Sequence, residues 1–300
     1  MTPYLNKRLQ IAQQAAADLA DDHPGAQIWL VGAVAEHLAH AHSDIDLLLI
    51  VPTGPLPPLH SRLMDGVRVD PTTVTSDTVG RLRSLLGSFA VTREDIEVFR
   101  TVRARLADLT LLRTALAFSD GAFAPVLSAA ERTGYLRWAL ADRAEAAASL
   151  AEDLVGLAEA ALHPHADVVW DRLAVTLAAA EAVAAGAPLL GAKWLPSLLT
   201  RAEHTATGHR RIPSLPTPHW PDAASPWFAP AQVRLANALL SCWPTEAAPD
   251  PSWQKDLSGF GWLPQRYADG WFLRRGDVRV PLSDGQLIAW RDAAAKQPHP

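Results

Sequence analysis

A chain of 300 residues is longer than one small core requires and long enough for two packed units. Its 49% apolar and 20% charged residues are ordinary for a globular protein, and a net charge of −5 without a basic stripe argues against a protein built to grip nucleic acid. One cysteine, Cys242, excludes an intrachain disulfide and a cysteine-based zinc cage.

Residues 5–21 carry Leu9, Ala12, Ala16 and Leu19 at helical spacing, which predicts an amphipathic helix ended by His23-Pro24-Gly25. Gln13, Gln14 and Asp18 interrupt it, so a secretory leader is not expected. Later Ala/Leu-rich stretches are broken by Glu, Asp and Arg, which argues against membrane spans and for a cytoplasmic protein. Gln27 to Val31 reads as a strand, with Gly32 turning it into a helix from Ala33 to about Ala41. Five consecutive apolar residues follow Asp46 in the segment Asp44 to Val51, which suits a strand covered on both faces. Pro52 to Pro58 is a loop by composition, and Gly66 to Val74 is a third strand punctuated by Pro71. A helix and a connection lead to about residue 92.

From Arg93 to about Thr207 the pattern turns to long helices, at 134–162, 167–185 and 193–206, with His163-Pro164 between the first two. Residues 212–230, rich in Pro and Trp, are expected to wrap the surface before a helix at about 230–243. In the tail, Trp262, Tyr267, Trp271 and Phe272 precede a hairpin turn at Arg275-Gly276-Asp277. Ser283 is a candidate N-cap for a last helix through Trp290.

The chemistry concentrates near the N-terminus. Asp44 and Asp46 stand two apart on a strand, so their side chains leave the same face. Two carboxylates that close repel unless a cation lies between them, and charges opening an apolar strand are costly to bury unpaired. Mg²⁺ takes carboxylate oxygens and shares its shell with water and phosphate. Asp70, at the end of Val67-Arg68-Val69, is placed to be a third carboxylate if that strand lies beside Asp44 to Val51; Asp65 and Asp77 are alternatives. Upstream, Gly32 lets the backbone approach a phosphate at a helix start, where unpaired N–H groups attract anions. One or two ions there would serve phosphoryl transfer.

Val31-Gly32-Ala33 and, after a ten-residue spacer that ends in Ser43, Asp44-Ile45-Asp46-Leu47 resemble the signature of the DNA polymerase β-like nucleotidyltransferase superfamily, over roughly residues 25–75. The resemblance implies an α+β protein, with a nucleotidyltransferase core of mixed sheet flanked by helices in 1–92. It implies Asp44, Asp46 and Asp70 as catalytic metal ligands for one or two Mg²⁺ ions, with Gly32, Ala33 and Ser43 beside the nucleotide. The family's serine is Ala33 here, which weakens the phosphate cradle by about 1 kcal/mol without removing backbone donors. A helical segment at 93–245 and a small Trp-rich β/α appendage at 246–300 are similar in plan to the antibiotic nucleotidyltransferases of the aminoglycoside and lincosamide type. In those enzymes the acceptor lies between core and bundle. There Gly191-Ala192-Lys193-Trp194-Leu195-Pro196 looks like the segment that brings a lysine, here Lys193, to the nucleotide phosphates; a surface lysine beside a packed Trp194 is the plainer reading.

Plainer readings also serve elsewhere. His37, His40 and His42 straddle a helix end without a cysteine and read as surface; Glu145 and Glu152 read as a solvated helix face, with a general base as the alternative. The expected activity is transfer of an NMP, from ATP by preference, to a hydroxyl or phosphate of a small antibiotic-like or biosynthetic molecule, with release of pyrophosphate. The protein is expected to work as a monomer or homodimer, without nucleic acid or membrane. Alternatives are a degenerate relative serving as nucleotide sensor or interaction module, for which Ala33 speaks, and a protein-modifying enzyme of the antitoxin type, against which the long second half speaks.

Overall fold

The computed structural model describes residues 3–52, 58–94, 96–202, 214–216 and 225–297. Among them are ten α-helices, a six-stranded mixed sheet and a three-stranded antiparallel sheet. The chain divides into two compact units, residues 1–89 with 101–135, and residues 90–100 with 136–300. No helix among the described residues is long and apolar enough to cross a membrane.

In the first unit, α1 (Pro3–Asp22) lies on a sheet ordered β3-β4-β2-β1-β5-β6. The strands are β1 (Gln27–Val31), β2 (Ile45–Val51), β3 (Arg62–Met64), β4 (Val67–Thr75), β5 (Leu116–Ser119) and β6 (Ala122–Pro125). Only β2 and β4 run parallel. Period-two alternation decides what β2 buries: Ile45, Leu47 and Leu49 are fully buried in one core with Ile11, Ala12, Ala15, Ala16 and Leu19 of α1. Each such aliphatic side chain contributes about 1.5–3 kcal/mol of burial. Asp46 and Leu48 leave the other face. Pro71 does not end β4, because β3 pairs only as far as Val69 and the strand is an edge on that side beyond it.

Two short hairpins depart from the expected elements. Asp65-Gly66 joins β3 to β4, and Asp120-Gly121 joins β5 to β6 inside a stretch expected to be helical. All four turn residues have positive φ, the geometry that a two-residue hairpin loop demands and that Asp-Gly supplies. The helix after β1 is also shorter than expected. α2 covers only Gly32–Ala35, because His37 is left-handed at φ 57° and Leu38 N–H returns to the Ala33 carbonyl. The unit is completed by α3 (Ser76–Leu86), capped by Thr75, and α5 (Leu106–Thr114). α4 (Ile96–Ala104) and α6 (Ala129–Glu159) pass from one unit to the other.

The second unit holds most of α6, then α7 (His163–Ala184), α8 (Leu195–Ala202) and α9 (Ser225–Cys242). α7 begins at His163 with Pro164 in its first turn, where a missing N–H costs nothing. Of the expected Pro- and Trp-rich wrap at 212–230, residues 212–213 and 217–224 lie outside the described residues, as do 203–206 of the helix expected at 193–206 and 53–57 of the expected loop. The tail forms β7 (Leu263–Tyr267), β8 (Gly270–Arg275) and β9 (Val278–Leu282). Ser283 then caps α10 (Asp284–Ala295) through a reciprocal capping box with Gln286. Gln232, wholly buried on α9, donates its amide to the carbonyls of Gly259 and Trp262, each at 3.1 Å, and so fixes α9 to the chain before β7.

Candidate metal centre

Parallel pairing of β2 with β4 sets Asp46 opposite Asp70. Asp44 stands immediately before β2, two residues from Asp46 and therefore on the same face. One carboxylate oxygen from each of Asp44, Asp46 and Asp70 lies within 4.8 Å of the other two. Among the described residues no other group of three or more His, Cys, Asp or Glu side chains gathers in this way. Asp65 lies in the β3–β4 turn and Asp77 pairs with Arg81 on α3, so of the three acids considered for the third position only Asp70 meets the pair.

β1 runs antiparallel to β2 with Val31 opposite Asp46, which brings Gly32 against that carboxylate. A Cβ on Gly32 would stand 2.7 Å from Asp46 Oδ2, and φ at Gly32 is +73°. Both facts demand glycine here. The Gly32 amide donates to Thr114 Oγ1 at 2.9 Å, so this particular N–H is held inside the fold rather than offered to a ligand. Thr114, 2% exposed at the end of α5, donates its hydroxyl to Leu111 O, and the neighbouring Arg113 pairs with Glu36 after α2. α5 therefore anchors the short turn that backs the carboxylates. Ala33 is half-buried next to it.

The other side of the site is held by α1. Arg8 is 3% exposed, and its guanidinium donates to the carbonyls of Ser43 at 2.7 Å, Ala41 at 2.8 Å and Tyr4 at 3.2 Å. Ser43, also buried, accepts a hydrogen bond from His40 N on its Oγ. Ser43 thus shapes the backbone that delivers Asp44. His42 N–H donates to the His40 ring at Nδ1 in the same turn.

Across the carboxylates lies a residue that the motif does not contain. Arg68 of β4, two before Asp70 and on its face, donates Nε to Asp70 Oδ2 at 2.7 Å and Nη2 to Asp44 Oδ2 at 3.0 Å. Asp70 foremost, then Asp44, raises the guanidinium pKa above its ordinary value. Asp70 Oδ1 is buried with no hydrogen-bond partner. An orphaned carboxylate oxygen is costly in a protein interior, and a cation relieves that cost. This orphan, the oxygen-only donor set and the glycine that gives Asp46 its room fit a hard divalent ion.

Lys193 belongs to the second unit, in a short 3₁₀ turn before α8, where it is exposed with Nζ 5.4 Å from the Trp194 ring centroid. Glu145 of α6 is partly covered and pairs with Arg274 of β8, whose side chain is 10% exposed, whereas Glu152 lies on the solvated face, its side chain 51% exposed and 3.6 Å from the same guanidinium. The alternation along β4 was the signal that could have located Arg68. Thr114 and Arg8 lie far away in sequence and left none. The sequence matches no protein-family model and no curated protein.

Proposed function

We propose that this chain is a divalent-metal-dependent nucleotidyltransferase of the DNA polymerase β-like kind, acting on a small molecule. The observation that carries the reading is the in-register pair Asp46 and Asp70 on parallel strands, joined by Asp44 within 4.8 Å and backed by Gly32. Asp44, Asp46 and Asp70 would hold one or two Mg²⁺ ions. When bound, Mg²⁺ neutralises phosphate oxygens and eases ionisation of the attacking hydroxyl. In the transfer, an acceptor oxygen bonds to the α-phosphorus of an NTP as the bond to pyrophosphate breaks. Asp70 orients that hydroxyl, whose proton passes to solvent. The chain's own contribution is rigidity: Arg8 fixes the backbone that presents Asp44 and Thr114 fixes the turn that backs Asp46, so little reorganisation accompanies the reaction.

A small-molecule acceptor, of antibiotic-like or biosynthetic character, follows from the same reading, as does ATP as the favoured donor. A second reading, a nucleotide sensor of the same ancestry, draws on Ala33 where the family has serine. One experiment separates them. Each NTP with Mg²⁺ and a panel of hydroxylated metabolites is incubated with the protein, and pyrophosphate is measured. Pyrophosphate release that Asp46→Asn slows by roughly a hundredfold or more supports the enzyme. Nucleotide binding without release from any acceptor favours the sensor. Release that persists at the wild-type rate in Asp46→Asn, or in EDTA, overturns the metal-centre reading.

A further inference from the structure

Arg68 is a cation bonded to two of the three carboxylates, those of Asp44 and Asp70, and its place is informative. Its guanidinium occupies Oδ2 of both Asp44 and Asp70, on the face where Asp46 also points. A divalent ion drawing on the same carboxylates competes with it for those oxygens.

The Arg68 side chain is 61% exposed, whereas Asp70, its main partner, is 22% exposed. An exposed guanidinium paired to carboxylates is held weakly and turns away at little cost. It turns away on a long stem rooted in β4, two residues before Asp70, so it stays at the mouth of the same site. A planar guanidinium with several N–H donors recognises phosphate oxygens as readily as carboxylates. Arg8, by contrast, is fully engaged with three carbonyls in the interior and has no such freedom.

We propose that Arg68 is an exchangeable counter-ion: it competes with the divalent cation for Asp44 and Asp70, and on displacement it becomes a contact for the polyphosphate of the bound nucleotide. This rests on the metal-centre reading of the three carboxylates. It gives Arg68 two effects of opposite sign, a brake on cation binding and an aid to nucleotide binding. A brace that merely shapes the site has effects of one sign only.

The test measures both in wild type, Arg68→Ala and Arg68→Lys. Mn²⁺ affinity is read without nucleotide from the electron paramagnetic resonance of the free ion. Affinity for α,β-methylene-ATP is read by calorimetry at saturating Mg²⁺, and thermal melts check folding. Arg68→Ala is expected to bind Mn²⁺ roughly two- to fivefold more tightly, the scale of an exposed ion pair. The same variant is expected to bind the nucleotide analogue roughly tenfold more weakly, the scale of a charged hydrogen bond. Arg68→Lys is expected to recover part of the nucleotide affinity. Should the alanine variant lose its fold, Arg68→Gln carries the same comparison. Weaker Mn²⁺ binding in the variant, or unchanged affinity for both probes, overturns the exchange. Wild type that binds no Mn²⁺ at all overturns the metal centre itself and this inference with it. Wild type that binds Mn²⁺ while the variants match it overturns the exchange alone.

Discussion

Gly32 shows how much of the site depends on the absence of one methyl group. Asp46 Oδ2 lies where its Cβ would be, at 2.7 Å, and the backbone is in the left-handed region. Gly32→Ala therefore combines a clash with a strained φ, which together cost about 1–3 kcal/mol. It also pushes Asp46 away from Asp44 and Asp70. We expect a lower urea midpoint together with loss of Mn²⁺ binding; an alanine variant that binds Mn²⁺ like wild type would show that the close approach is incidental. Glycine after a strand, followed by a spaced Asp-x-Asp, was legible in the sequence because spacing alone puts Asp44 and Asp46 on one face. The hydroxyl of Thr114 on the Gly32 amide was not, since 82 residues separate the partners.

At the scale of elements, the legible parts were those with a local cause. Apolar spacing gave α1, an apolar run gave β2, and Ser283 gave the N-cap of α10, though not its Gln286 partner. β3, β5 and β6 are only three or four residues long, too short for a periodic pattern, and only their Asp-Gly turns mark them. The start of α6 offers a test of how elements are tied within the first unit. Glu131 accepts from Ser128 N at 2.8 Å while its own N–H donates to Ser128 Oγ at 3.3 Å, a capping box, and its carboxylate also receives Ser128 Oγ at 2.7 Å and Arg83 of α3 through Nε at 2.6 Å and Nη2 at 3.1 Å. The Arg83 hydrogen bonds first, then those of Ser128, hold its carboxyl down at about 2, against 4.5 ordinarily. A carboxyl depressed in the folded state stabilises fully above its unfolded pKa, and that stabilisation is lost as pH falls through the folded one. Melting temperatures of wild type and Glu131→Gln should thus differ most above about pH 4.5 and converge toward pH 2. A gap that is constant from pH 5 to 2 would show that the charge of Glu131 contributes nothing.

At the scale of the whole molecule, the change of pattern near Arg93 reads as the start of long helices, yet these begin only with α6 at Ala129, and nothing in the pattern signals that residues 101–135 return to the first unit through α5 and β5. That return is a matter of nonlocal pairing, with Leu30 opposite Leu116, and pairing partners are not written in periodicity. What composition did establish is that no disulfide can staple either unit, so both depend on packing. The single thiol then becomes a gauge of that packing. Cys242, at the end of α9, is half-buried, and burial pushes its pKa up to about 11, with Arg137 opposing weakly. At pH 8 its thiolate fraction is on the order of a hundredfold below that of an ordinary cysteine. The greater nucleophilicity of a more basic thiolate restores about tenfold of this. We expect iodoacetamide to alkylate the native protein at least about tenfold more slowly than the urea-unfolded chain, followed by mass spectrometry. The native rate should keep climbing with pH beyond 9, because the thiol has yet to ionise there. A plateau near pH 9 would mean that the thiol is ordinary and this end of α9 less well packed than its burial implies. Because Cys242 has no place in the proposed chemistry, the alkylated protein should also retain Mn²⁺ binding at the carboxylates, and loss of that binding on alkylation would count against their independence from the thiol.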